Sequence, residues 1–184
     1  LNEKYGIEEE DFLSAELELV PAFSARDVGF GRSMVGGYGH DDRVCAYPAL
    51  MAALHCKAPK NTVVTVLVDK EETGSDGNTG MQSDFMKYFI FDLAKSEGQE
   101  GYRVLSKSRC LSADVNAAYD PTYASVFEAN NASYINKGVV ITKYTGHGGK
   151  YGTSDASAEF MAQIRQMLDK EKILWQTGEL GKVD

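Results

Sequence analysis

At 184 residues the chain is long enough for one domain with a real core, and an apolar fraction of 43% excludes wholesale disorder. Acidic residues outnumber basic ones, 27 to 19, and the formal net charge of -8 leaves no basic stripe to release counterions from a nucleic acid. No apolar stretch approaches membrane-spanning length and no secretory hydrophobic region opens the chain, so a cytoplasmic setting is expected, with neither nucleic acid nor membrane as partner.

Residues 5–12 are expected to form a short helix, whose acidic run Glu8, Glu9, Glu10, Asp11 reads as a solvated helix start. Residues 12–21 (FLSAELELVP) alternate apolar and polar, as a half-exposed strand does. Residues 26–39 are glycine-rich and read as a loop or an edge strand. Asp41 and Asp42 then stand where they can cap a helix running to about Lys57, with Val44, Tyr47, Met51 and Leu54 near 3.6-residue spacing. The run 62–68 (TVVTVLV) is apolar and β-branched, as a central strand of a parallel sheet is. A polar, glycine-rich loop follows over 73–80 (TGSDGNTG), then a helix over 81–94. A short strand is expected over 110–115, irregular chain over 120–133, a strand over 137–144 and a flexible turn over 145–152. A strong helix spans 154–168, capped by Ser154 or Asp155, and a last short strand spans 173–176. Strand and helix alternate from 43 onward, so the class is α/β.

Three cysteines, Cys45, Cys56 and Cys110, are an odd count without metal-ligand spacing and read as reduced thiols in or near the core. The sequon Asn131-Ala132-Ser133 is fortuitous in that setting. The histidines are weak candidates: His40 precedes Asp41 and reads as a rim residue, His55 ends a helix, and His147 sits in a glycine turn. No nucleophile elbow appears, the 74–80 glycines lack the lysine–hydroxyl ending of a P-loop, and Asp76-Gly77-Asn78 does not fit an EF-hand.

The acidic residues carry the chemistry. Glu71 and Glu72 lie just past the run 62–68, where open α/β folds place their sites. Asp41 and Asp114 stand beside or at the end of other apolar segments. One such carboxylate is usually only a cap or a solvated turn. Several at one sheet edge repel one another unless a cation binds them. Of two neighbouring glutamates, one can hold a metal while the other takes a proton from water, the division of labour of a metallohydrolase.

The runs YGHDDRVCAYPAL, DKEETGSDGNTGMQS, LSADV, NKGVVITKYTG and SDASAEFMAQIR, in that order, resemble the aspartyl aminopeptidase / aminopeptidase I family. The match covers nearly the whole chain. The resemblance implies a three-layer sandwich with a mainly parallel central sheet, incomplete here at both ends. It implies a peptide substrate with an acidic N-terminal residue, two divalent metal ions, zinc above all, and a homo-oligomer. Asp41 matches the aspartate that bridges the metals, Glu71 the general base, Glu72 a ligand of one metal and Asp114 a ligand of the other. Lys143 and Tyr151 fall near positions that contact the substrate. The family's two metal-binding histidines match neither His40, His55 nor His147. The resemblance therefore implies an internal piece of a longer enzyme: residues 1–25 as the tail of an inserted dimerisation domain, 26–184 as the middle of the catalytic domain. Alone it is expected to be inactive and to expose apolar edges. The rival expectation is a non-enzymatic α/β fragment that serves only as a folding or assembly unit.

Overall fold

A computed structural model describes residues 1–147 and 151–179, the side chains of 145–147 and 151–153 excepted. The chain falls into two compact units, Leu1–Ala113 and a second beginning at Asp114.

In the first unit, α1 (Asn2–Tyr5) ends at Gly6, whose φ of 69° is left-handed. The expected helix over 5–12 is instead a 3-10 turn, Glu9–Phe12. It is held by a reciprocal capping box in which the Glu8 N–H donates to Asp11 Oδ2 at 2.7 Å. The strand expected over 12–21 is absent, and Leu13, Leu17 and Leu19 face solvent. Alternation prescribes faces, but a strand exists only where a neighbour completes the ladder. The glycine-rich 26–39 stretch does form strands: β1 (Arg26–Val28) and β2 (Met34–Gly36) pair antiparallel, with Arg26 opposite Gly36 and Val28 opposite Met34.

Helix α2 (His40–His55) follows close to its expected span. The apolar run 62–68 carries no ladder among the described residues, and Val63, Val64, Leu67 and Val68 are exposed. A 3-10 turn (Glu71–Thr73) leads into the glycine loop, then α3 (Phe85–Ser96) and α4 (Gly101–Lys107) pack on each other. At seven residues α4 is too short to show a period, and no pattern in the chain predicts it. The strand expected over 110–115 is likewise absent.

The second unit holds the parallel element. Strands β3 (Val139–Ile141) and β6 (Trp175–Thr177) run parallel, Val140 opposite Gln176, and α5 (Ala158–Lys170) lies in the crossover between them. This is a partial α/β fold. Gly138 permits the close approach: its φ is 90°, and a Cβ would run into the Leu174 carbonyl. Gln176 extends the pairing sideways, its amide accepting from Tyr134 N and donating to Tyr134 O, both at 2.9 Å. Helix α5 starts later than its sequence suggests. Ser157, not Ser154 or Asp155, is the N-cap and accepts from Phe160 N at 3.2 Å. Residues 144–155 instead include an antiparallel pair, β4 (Tyr144–His147) and β5 (Tyr151–Asp155). The expected turn at 145–152 thus carries strand at both ends, and 148–150 lie outside the described residues. Between Asp120 and Ser133 a 3-10 turn (Pro121–Val126) begins where the Asp120 carboxylate accepts from Thr122 N. Ser133 is 2% exposed and its hydroxyl donates to Ala117 O at 3.1 Å.

Very little of this is buried. Ala94, Ala132 and Leu168 are the buried apolar residues among those described. The accessible surface is 15438 Å², against about 8,700 Å² for a closed monomer of this mass. Cys56 and Cys110, expected in or near the core, are exposed, and Cys45 is half-buried. No described helix is long and apolar enough to cross a membrane.

Candidate metal centre

Two local devices in the first unit present carboxylates. At the head of α2, Gly39 takes the N-cap position with φ 75°, and Arg43 N donates to its carbonyl at 3.2 Å. Asp41 and Asp42, joined by a cis peptide bond, lie inside the element with non-helical dihedrals, Asp41 at φ -82° and ψ 107°. Asp41 is therefore part of an irregular first turn and not the regular cap its position suggests.

The second device is the loop after 62–68. Lys70 adopts a left-handed φ of 67°, and its carbonyl accepts from Ser75 N at 2.7 Å, Thr73 N at 3.2 Å and Thr73 Oγ1 at 3.1 Å. The Gln82 side-chain amide donates to Gly74 O at 2.5 Å, Gln82 N to Ser75 O at 3.2 Å, and Asp69 N to Thr79 O at 3.3 Å. The segment is thus closed on itself, with Glu71 and Glu72 on its 3-10 turn. Gly80 makes the closure possible, since a Cβ there would run into the Ser75 carbonyl. Gly80→Ala in the whole protein is accordingly expected to cost about 1–3 kcal/mol, the usual penalty of overpacking. Thermal denaturation should show the loss, and an unchanged melting temperature would refute the tight closure.

These devices bring Asp41, Glu71 and Glu72 together: one carboxylate oxygen from each lies within 4.8 Å of the others, and all three residues are exposed. Like charges so close are mutually destabilising unless a proton or cation neutralises them. The donors are hard oxygens, which suit a divalent ion, and carboxylates are accepted zinc ligands at about 2.0–2.2 Å. The group fits a divalent metal. Among the described residues no cluster of three or more potential ligands includes a histidine or cysteine. His40 opens α2 and His55 closes it, while the His147 side chain lies outside the described residues.

The remaining expected site residues belong to the second unit. Asp114 opens it, its Oδ1 accepting Val115 N at 2.6 Å. Lys143 directly precedes β4, and its ammonium donates to Asp155 Oδ1 and, at 3.1 Å, to the Tyr144 hydroxyl. The bond to Asp155 first, then that to Tyr144, raises its pKa above the ordinary lysine value. Tyr151 begins β5, and its side chain lies outside the described residues. Sequence reasoning missed Asp155 as a partner of Lys143 because it assigned Asp155 to a helix cap. It missed Gln82 as a loop clamp because one glutamine leaves no pattern.

The family model described as aminopeptidase I zinc metalloprotease (M18) matches residues 1–184. The chain belongs to the M18 aminopeptidase I family. A probable M18 family aminopeptidase 1 of Clostridium acetobutylicum is 54% identical over 188 residues, which span all of this chain and 40% of that protein. The corresponding Thermotoga maritima protein is 47% identical, with all of this chain and 42% of its own length covered. The chain thus spans about two fifths of the length of these curated M18 relatives. Among solved M18 structures, aminopeptidase I from C. acetobutylicum superposes with a TM-score of 0.89 at 55% identity over the whole chain and 40% of that structure. The M18 aminopeptidase from T. maritima gives 0.89 at 46% identity, again over the whole chain and 42% of that structure.

Proposed function

We propose that the whole protein is a zinc-dependent aminopeptidase using two metal ions, and that Asp41, Glu71, Glu72 and Asp114 are its acidic site residues. The observation that carries this reading is the convergence of Asp41, Glu71 and Glu72 in a chain of a zinc metalloprotease family. Asp41 would bridge the two ions, Glu72 would hold one and Asp114 the other. When bound, such ions lower the pKa of water and polarise the scissile carbonyl. Glu71, beside Glu72 on the same 3-10 turn, would take a proton from the attacking water. It then delivers that proton to the leaving amine, a transfer one carboxylate can perform in both directions.

The substrate in this reading is a peptide with a free N-terminus and an acidic first residue. Lys143 supplies the complementary ammonium, and Tyr151 is the second residue assigned to substrate binding. Residues 1–25 would be the tail of an inserted dimerisation domain and 26–184 part of the catalytic domain, in a cytoplasmic homo-oligomer. The exposed apolar surface supports further chain or further subunits packing on it.

Elemental analysis tests the metal assignment. The whole protein is expected to hold two zinc ions per subunit. Asp41→Asn should lower both occupancies, whereas Glu72→Gln and Asp114→Asn should each lower one. One ion per subunit, with Asp114→Asn silent, would overturn the two-ion reading.

A further inference from the structure

Lys143 does not face its surroundings as a bare charge. It stands at the mouth of the β4–β5 pair, where Tyr144 is the cross-strand partner of Asp155 and Ala156 N donates to Lys143 O at 3.0 Å. The backbone thereby places the Asp155 carboxylate against the ammonium. On the other side the ammonium lies 4.3 Å from the centre of the Tyr144 ring and 3.1 Å from its hydroxyl. An ammonium has three donors, and Asp155 and Tyr144 engage two of them. The Lys143 side chain is 33% exposed and that of Asp155 62%, so an approaching group meets the carboxylate as well as the cation.

We propose that Asp155 is a specificity-determining residue, an internal carboxylate that competes with an acidic substrate side chain for Lys143 and so holds down discrimination against neutral N-terminal residues. The proposal rests on the reading above that Lys143 faces the substrate side chain. Its physical basis is charge cancellation. A bare lysine attracts an acidic side chain and penalises an apolar one for stripping water from the ammonium. A lysine already paired does less of both. An acidic side chain can use only the remaining donor and is repelled by Asp155. A neutral side chain meets a pair of no net charge. Specificity is a difference of two affinities, and Asp155 lowers the acidic one while raising the neutral one, so both effects reduce the ratio.

The test uses the whole enzyme and the ratio of kcat/KM for a glutamyl to a leucyl aminoacyl substrate. Asp155→Asn keeps the shape and removes the charge, and Asp155→Ser is measured beside it in case one variant fails to fold. Each is expected to raise the ratio about three- to fivefold, the effect of one partly exposed charge, and the gain should shrink with added salt. Asp155→Glu should return the ratio towards that of the parent. Lys143→Met is the control on the underlying reading and should lower the ratio. If Lys143→Met lowers it but neither Asp155 variant raises it, the role of Asp155 is wrong while that of Lys143 stands. If Lys143→Met leaves the ratio unchanged, Lys143 does not face the substrate, and both readings fall.

Discussion

Glu71→Gln in the whole protein is expected to lower kcat by about 10²–10⁴-fold while leaving the metal content nearly intact. The amide preserves size and shape but cannot accept the proton of the attacking water. The contrast with Glu72 gives the prediction its edge. The two residues are adjacent on one 3-10 turn, and each offers an oxygen to the same cluster. Proximity alone therefore does not divide base from ligand. The variant does: a base lost at constant metal content places Glu71 in proton transfer. Parallel loss of metal and activity would instead make Glu71 a ligand and return the base role to its neighbour. Single-turnover measurements at saturating substrate, with metal quantified in the same sample, read both quantities together.

The acidic cluster was legible in the sequence, and the reason is local. A β-branched run breaking into charged residues and glycine signals a change from extended chain to turn, and Glu71 and Glu72 fall on that change. The structure keeps the turn and lacks the strand. The run 62–68 is free of any ladder among the described residues, because strand formation depends on a neighbour that sequence pattern does not supply. The strands β3 and β6, though not their pairing, were readable for the opposite reason. Both strands and the crossover helix lie within one stretch of chain, and Gly138 removes the side chain that would block their approach. The start of α5 was misplaced by a few residues. Ser154, Asp155 and Ser157 are all competent N-caps, and cross-strand pairing claimed the first two. That same displacement puts Asp155 against Lys143, a relation no helical reading of the segment contains.

The 184-residue chain assayed by itself is expected to show no appreciable aminopeptidase activity on acidic or neutral aminoacyl substrates. Two observations lead there. The converging side chains that could hold a metal are all carboxylates, with no histidine in any cluster of the described residues. An oxygen-only set holds hard ions such as magnesium or manganese in preference to retaining zinc, and gives weaker control over water acidity. Much apolar surface, including Val63, Val64, Leu67, Phe85 and Phe89, is also exposed, unlike the packed surround that a working site needs. The same surface should make the chain self-associate as its concentration rises, which sedimentation velocity would detect. Zinc, cobalt and manganese added in turn should not restore turnover. Co-expression with the rest of the whole protein should restore it by completing both the ligand set and the packing. Robust, chelator-sensitive hydrolysis by the purified chain would overturn this, and would mean that a nitrogen ligand comes from within. His40, one residue from Asp41 at the head of α2, would then be the first to replace.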